Sequence, residues 1–163
     1  MILALPLDTS PIYTLHYTVT LTINGGYTVM NEVVKFLYEN PVTYVATIGL
    51  DGKPKVRPFQ FMLEEEGKLY FCTNNQKDVY KQIQKFPYIE VTTSSPDFRW
   101  IRLSGTVVFS EDMEIKKTII DNSQLVKSLY QTADNPIFKI FYLEDAKATI
   151  ADFSGEPPKE FSL

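Results

Sequence analysis

The sequence predicts a mainly β protein of the α+β kind: six antiparallel strands closed into a small barrel, with helices on its flanks. Three observations predict it. Six runs of strand-like residues are joined mostly by short turns rich in Gly, Asp, Glu and Pro. Few stretches carry helical periodicity. So many strands with so few covering helices are most simply accommodated by closure, which removes the sheet edges. A chain of 163 residues, 44% hydrophobic and 13% aromatic, is long enough for one domain with a proper core.

Residues 1–29 differ from the rest, holding one acidic residue and no lysine or arginine. Thr14 to Ile23 alternates loosely, and Asn24-Gly25-Gly26 is a turn signal. This leader is either an extra strand or arm, or a segment upstream of a natural start at Met30; no chemistry is assigned to it. The domain proper is expected over residues 30–163. Asn31 caps a helix whose apolar side is Val33, Val34 and Leu37, and Pro41 ends it. Val42 to Leu50 reads as a strand, Asp51-Gly52-Lys53-Pro54 as a hairpin turn, and Lys55 to Leu63 as the partner strand. After the Glu64-Glu65-Glu66-Gly67 turn, Lys68 to Thr73 is a third strand, with Leu69, Phe71 and Thr73 on one face and Tyr70 and Cys72 on the other. A helix is predicted from about Gln76 to Lys85, with Val79, Ile83 and Phe86 towards the core and Lys77, Lys81 and Lys85 elsewhere.

Tyr88 to Thr93 is the fourth strand. The fifth, Arg99 to Phe109, sets Ile101, Leu103, Val107 and Phe109 against Trp100, Arg102, Ser104 and Thr106. Gly105 interrupts the inward row, which suggests a bulge or a close backbone approach. Ser110 is expected to cap a helix opening with Glu111 and Asp112, and Leu125, Val126 and Leu129 suggest a second helical piece between Gln124 and Asn135. Ile137 to Phe153 is the sixth strand, or two short ones split near Glu144-Asp145. The tail from Gly155 is polar and contains proline.

Composition excludes several classes of function. A net charge of −4 argues against a general nucleic-acid binder. The lone cysteine, Cys72, rules out an intrachain disulfide and a cysteine-rich metal site, and fits a small apolar residue packed in its strand better than a nucleophile. With one histidine, His16, neither a multi-histidine metal site nor a histidine-based triad within one chain is expected. No run approaches the ~20 apolar residues of a membrane span, and no basic segment precedes an apolar run. A cytoplasmic protein is expected.

The stretch from Lys55 to Ile89 carries the chemistry. Arg57 sits inside an apolar strand, a second strand ends in Thr73-Asn74-Asn75, and Lys77 follows at the start of an amphipathic helix. Arginine supplies a fork of donors and a helix start supplies N–H groups, which together suit a phosphate beside a flat ligand. Each residue also has a plainer reading. Arg57 is then a surface strand cation or ion-pair partner. Lys77, Lys81 and Lys85 form a solvated face, although a cation in the first turn opposes the helix dipole by ~0.3–1 kcal/mol unless an anion is present. Thr73-Asn74-Asn75 simply caps the helix. Trp100 serves interface packing, contact with that ligand, or both.

From Met30 to Phe153 the ordered set resembles the FMN-binding split β-barrel proteins related to pyridoxamine 5′-phosphate oxidase, and most of all their short bacterial branch of NimA-like and general-stress flavoproteins. The residues are Asp51-Gly52, Val56-Arg57-Pro58-Phe59, Leu69-Tyr70-Phe71-Cys72-Thr73, Lys77, Gln82-Ile83, Pro87-Tyr88-Ile89-Glu90-Val91 and Trp100-Ile101-Arg102-Leu103-Ser104-Gly105. The resemblance implies a homodimer with FMN in a groove between subunits. It implies Arg57 at the FMN phosphate and ribityl chain; Pro58, Phe59 and Gln60 at the flavin edge; Cys72, Thr73 and Asn74 at the ribityl and phosphate; and Lys77 at the phosphate. Trp100 and Arg102 fall where the second subunit approaches. All three arginines, Arg57, Arg99 and Arg102, are expected in strands that face the flavin.

The function implied is an FMN-dependent oxidoreductase that reduces a small-molecule acceptor with NAD(P)H, with no side chain named as catalytic. The alternatives are a non-catalytic flavin-binding stress protein, a pyridoxamine-phosphate-oxidase-type enzyme, or a haem-binding relative. The oxidase proper carries a C-terminal arginine motif for its substrate, and this chain has no arginine after Arg102. NimA-like members often place a histidine near the flavin, and His16 lies outside the matching region. A haem relative usually needs an axial ligand, and no histidine follows His16.

Overall fold

The fold is given by a computed structural model, which describes residues 31–163 in full and, before them, the backbone of Thr22–Ile23 and Gly26–Tyr27. The chain divides into two units, Met1–Met30 and Asn31–Leu163. In the first, β1 (Thr22–Ile23) and β2 (Gly26–Tyr27) pair antiparallel where the Asn24-Gly25-Gly26 signal falls. His16 and the alternating run before Thr22 lie outside the described residues.

The second unit runs α1 (Glu32–Glu39), β3 (Val42–Ile48), β4 (Pro54–Glu65), β5 (Lys68–Asn74), α2 (Asp78–Lys85), β6 (Tyr88–Ser94), β7 (Trp100–Ser110), α3 (Met113–Asn122), α4 (Gln124–Tyr130), β8 (Phe138–Ala151) and β9 (Lys159–Ser162). The strand order is β5-β4-β3-β6-β7-β8-β9, and a β5–β8 ladder closes the first six into an antiparallel barrel. The expected six-stranded barrel is therefore present, with one strand added on the outer edge of β8.

Alternation decides what lies inside. Val45, Phe61, Leu69, Phe71, Ile89, Val91, Ile101, Leu103, Phe141 and Leu143 point inward and form one buried cluster. Val33, Phe36 and Leu37 of α1 and Val79 and Ile83 of α2 belong to the same cluster. A helix can share a barrel's interior only at an open end, so α1 and α2 are its end covers. The cap on α1 is as the sequence predicts: Asn31 Oδ1 accepts from Val33 N at 2.9 Å. A second cluster lies outside the barrel wall, where Met62, Tyr70, Phe138 and Ile140 meet Ile115 and Ile119 of α3 and Val126 and Tyr130 of α4. The register of β4 shifts between Phe61 and Leu63, and at this bulge the consecutive residues Met62 and Leu63 both join the outer cluster while Phe61 stays inward.

Several elements differ from expectation for identifiable reasons. The polar tail contains a strand: Lys159–Ser162 pairs with Lys147–Ile150 of β8, and Phe161 packs on the core. Its composition hid it, because an edge strand with one face in water needs only one or two apolar residues. The helix after β7 begins at Met113 and is capped by Asp112, whose Oδ1 accepts from Glu114 N at 2.9 Å and Ile115 N at 3.2 Å. Ser110 ends β7 instead. The sixth barrel strand is continuous, with Asp145 at φ 51 and a register shift opposite Gly105.

Gly105 shows both features suspected of it. The β7–β8 register slips there, and a Cβ added to it would sit 3.0 Å from Glu144 O, 3.2 Å from Leu143 Cβ and 3.3 Å from Ala146 Cα. Much of that crowding is strand backbone, which cannot swing aside. Gly105→Ala is therefore expected to cost about 1–3 kcal/mol of stability through overpacking. Urea unfolding of the two proteins checks it, and an unchanged midpoint would show that the β8 bulge absorbs the methyl.

Candidate functional site

Arg57 is the residue on which the site turns. It lies on the inward-facing row of β4 with Lys55, Phe59 and Phe61, so its side chain enters the barrel end beneath α2 rather than the surface. Nη1 donates to Val45 O at 3.2 Å and to Thr47 Oγ1 at 2.7 Å, and Nη2 donates to Gln82 Oε1 at 2.9 Å. Thr47 Oγ1 also donates to Gln82 Oε1 at 2.7 Å. Every acceptor is neutral. Burial pushes the guanidinium pKa down, with no acidic group opposing the shift. No carboxylate pairs with Arg57 among the described residues. The contrast with other cations is plain: Lys116 and Lys139 share the Glu111 carboxylate, and Arg99 pairs with Asp97 at 3.1 Å. Of the five guanidinium N–H donors three are used, leaving Nε–H and one Nη2–H.

The junction of β5 and α2 is the second part. Thr73 faces inward and is buried, and its Oγ1 has no hydrogen-bond partner. Asn74 Oδ1 accepts from Gln76 N at 2.9 Å and Lys77 N at 3.1 Å. Lys77 is the cap of α2, not a first-turn residue, and makes no side-chain capping bond. The helix begins at Asp78 because a carboxylate suits its positive end and a lysine does not. Asn74 thus holds the turn that leads into α2, and the two N–H groups it takes precede the first helical residue. Lys77 and Gln82 are about 7.5 Å apart along the helix axis at 1.5 Å per residue, so α2 joins the lysine to the arginine network.

The remaining predicted residues divide between these parts and elsewhere. Phe59 is half-buried on the Arg57 row, 6.1 Å from the Phe141 ring. Pro58 and Gln60 lie on the opposite face of β4, Pro58 exposed and Gln60 half-buried. Phe61 N donates to Pro41 O, so odd-numbered residues of β4 carry the bonds to β3. Pro58 therefore turns its donor-less nitrogen to the other side, where the β5 ladder has not yet begun. Cys72 faces the outer cluster with α3 and α4. Trp100 is half-buried against Phe153 at 5.1 Å, and Arg102 is exposed. The ladders set Pro58, Tyr44, Thr92 and Arg102 in one row across β4, β3, β6 and β7. Three strand spacings of about 4.8 Å put Pro58 and Arg102 roughly 14 Å apart, so one chain does not bring Arg102 to Arg57.

Arg99 departs from expectation. It precedes β7 in the turn after β6, paired with Asp97, with its guanidinium 5.5 Å from the centre of the Phe36 ring. Thr47 and Gln82 were not singled out as site residues. The signal for Gln82 was available: it shares the inward stripe of α2 with Val79 and Ile83, where a polar residue needs a partner. Among the described residues no group of three or more His, Cys, Asp or Glu could hold a metal, and no helix is long and apolar enough to cross a membrane.

The family model described as pyridoxamine 5′-phosphate oxidase matches residues 29–147. The chain is 36% identical to a NimC/NimA family protein from Clostridium acetobutylicum, with 80% of this chain and 90% of that one covered and a TM-score of 0.73. General stress protein 26 from Bacillus anthracis superposes with a TM-score of 0.63 at 19% identity, covering 79% of this chain and 94% of that one. A pyridoxamine 5′-phosphate oxidase-related, FMN-binding protein from Nostoc punctiforme does so with a TM-score of 0.60 at 19% identity, covering 74% and 78%. No curated protein matches the chain.

Cys72 can be assigned a chemical state. Burial pushes its thiol from 9.0 up to about 12, against a smaller opposing pull from Lys77. It is a packed thiol at neutral pH, not a nucleophile. The thiolate fraction falls about tenfold per pKa unit, so alkylation near pH 8 is expected to be at least about a hundredfold slower in the folded protein than in the urea-unfolded chain. Equal rates would show that Cys72 is accessible and ionised. Because the unfolded thiol ionises first, its contribution to stability is complete below pH 9.0 and is lost as pH rises towards about 12.

Proposed function

The chain belongs to the pyridoxamine 5′-phosphate oxidase family, and from that premise we propose that it binds FMN and acts as an FMN-dependent oxidoreductase, passing electrons from NAD(P)H to a small acceptor. The observation that carries the proposal is the half-buried Arg57 guanidinium, held by three neutral acceptors and paired with no carboxylate among the described residues. A cation removed from water in this way is incomplete without an anion. Its two unused N–H groups are a donor set for phosphate. In this reading the buried, unpartnered Thr73 hydroxyl and the exposed Lys77 at the start of α2 are the further phosphate donors. The residues present fit the phosphate end of FMN.

FMN, when bound, supplies the hydride chemistry. The chain's own residues hold and orient: Arg57 and Lys77 take the phosphate, Thr73 and Asn74 lie beside the ribityl chain, and Pro58, Phe59 and Gln60 face the ring edge. No side chain is assigned a proton-transfer role, and Cys72 is protonated throughout the neutral range. A free thiol suits a reducing compartment, in keeping with a cytoplasmic protein.

The working unit in this proposal is a homodimer. One chain leaves Val42, Tyr44, Ile48, Val56 and Tyr88 exposed on neighbouring strands β3, β4 and β6, with Val56 at 67% relative exposure. An apolar face of this kind on a folded domain fits an interface. A second copy also supplies what one chain lacks, because Trp100 and Arg102 of a partner reach a flavin that its own Arg102 cannot. Val56→Glu is expected to shift the protein towards monomer in light scattering and to lower its flavin content together. A wild-type monomer with full FMN occupancy would overturn the dimer.

The purified protein is expected to take up FMN, turn yellow and be bleached by NAD(P)H under anaerobic conditions. A charge-assisted phosphate contact is worth about 1.5–3 kcal/mol, so Arg57→Ala or Lys77→Ala should weaken FMN binding by roughly tenfold to a hundredfold. Flavin titration of the apoprotein measures it. Unchanged affinity in both variants would remove the phosphate site, and a yellow protein that NAD(P)H leaves oxidised would make it a flavin carrier rather than an enzyme.

A further inference from the structure

We propose that Gln82, assisted by Thr47, is the positioning residue that aims the Arg57 guanidinium while leaving its charge undischarged, and so makes the site specific for a phosphorylated flavin. The inference rests on the FMN reading above and assigns a role to two residues outside the predicted contact set.

Gln82 sits on the buried stripe of α2 between Val79 and Ile83, with 7% of its surface exposed, and Thr47 on β3 is 4% exposed. Polar side chains are costly there unless bonded. Their bonds form a closed triangle. Gln82 Oε1 accepts from Arg57 Nη2 at 2.9 Å and from Thr47 Oγ1 at 2.7 Å, and Thr47 Oγ1 accepts from Arg57 Nη1 at 2.7 Å. The directions are forced. Arginine only donates, so Thr47 must receive the Nη1 proton and give its own to Gln82. Only the carbonyl oxygen of an amide can take two donors, which fixes the orientation of Gln82.

The choice of residue matters as much as the geometry. A glutamate at position 82 would have the same shape, would accept the same bonds and would make them stronger, because both partners would be charged. It would also cancel the guanidinium charge. The neutral amide gives up that strength and keeps the positive charge for a ligand. The same logic holds for Val45 O and Thr47 Oγ1, the other two acceptors, which are also neutral. Every contact that orients Arg57 therefore spares its charge.

The test is flavin titration of the apoprotein with FMN and riboflavin, which differ only by the phosphate, together with thermal melting of each apoprotein. In Gln82→Glu the FMN affinity is expected to fall by about tenfold or more while riboflavin affinity stays within about twofold, the loss expected for one charge-assisted contact. The apoprotein should melt at or above the wild-type temperature, because Arg57 gains a counter-ion. A merely structural role would move both flavins and lower the melting temperature. Thr47→Val, which removes the bonds from Arg57 Nη1 and to Gln82 Oε1 and adds no charge, should reduce FMN affinity by about threefold to tenfold with riboflavin unchanged, and serves if the glutamate variant does not fold. Gln82→Glu binding FMN as tightly as the wild type overturns the proposal and leaves the FMN reading in place. Equal loss of FMN and riboflavin overturns it as well. A wild type that binds neither flavin overturns both.

Discussion

The ladder between β5 and β8 is the constraint on which the rest depends. Tyr70 to Asn74 pair with Phe138 to Tyr142, and with that pairing the six strands have an inside. The two strands are 64 residues apart in sequence at their nearest paired ends, Asn74 and Phe138, so the ladder is a non-local contact whose closure entropy must be met by packing. Phe71 and Phe141, register partners across it, stack at 5.7 Å inside the barrel, while Tyr70 and Tyr142 meet at 5.7 Å outside. The outer side is then covered by α3 and α4. Closure thus makes both faces of β5 and of the first half of β8 into core, and on a face that in an open sheet would meet water Phe138 is buried and Cys72 half-buried.

The same closure makes the barrel end a place where a cation can be kept partly dry. A fully buried ion carries an effective penalty of several kcal/mol. Arg57 is only half-buried, and hydrogen bonds from a charged donor return about 1.5–3 kcal/mol each. The unliganded network is therefore close to balance, with the remaining attraction directed at the two unused N–H groups. An anion arriving there meets a donor already oriented and loses little to side-chain ordering. Lys116 and Lys139 are also withdrawn from water, but both pair with the Glu111 carboxylate, whereas Arg57 pairs with no carboxylate among the described residues.

The fold was legible in the sequence to the extent that period-two patterns are strong. Ile101, Leu103, Val107 and Phe109 alternate with polar residues, and β7 follows that pattern. Strand β9 was not legible, because Lys159, Glu160 and Ser162 leave only Phe161 to mark an inward face. Helix starts shifted by one or two residues wherever two capping residues stood close together, as with Ser110 and Asp112, where Asp112 reaches two N–H groups. Part of the site was visible as residue types in order. Its internal wiring was not: a bond from β4 to β3 and α2 depends on which way Arg57 points, and a lone charge in a strand is read by default as facing water. The row Lys55, Arg57, Phe59, Phe61 shares one face and ends in buried aromatics, and that clue pointed inward.

The unequal covering of the barrel explains where a site can form. Its wall at β5 and β8 is sealed by α3 and α4, and its ends are shared with α1 and α2. Among the described residues, what stays open is the outer face of β4, β3 and β6, continuous with Thr92 and Arg102 of β6 and β7. Arg57 lies on the inner side of β4, and Pro58, its neighbour, lies on the outer side. A ligand held at Arg57 by its phosphate and passing the β4 edge would therefore leave the barrel end and emerge onto the apolar face. That edge is free of β5 from Pro54 to Gln60, because the β4–β5 ladder begins only at Phe61. A phosphate taken inside and a flat ring laid outside need such an unpaired edge between them. Pro58, with no N–H to leave unsatisfied, is suited to the strand that provides it.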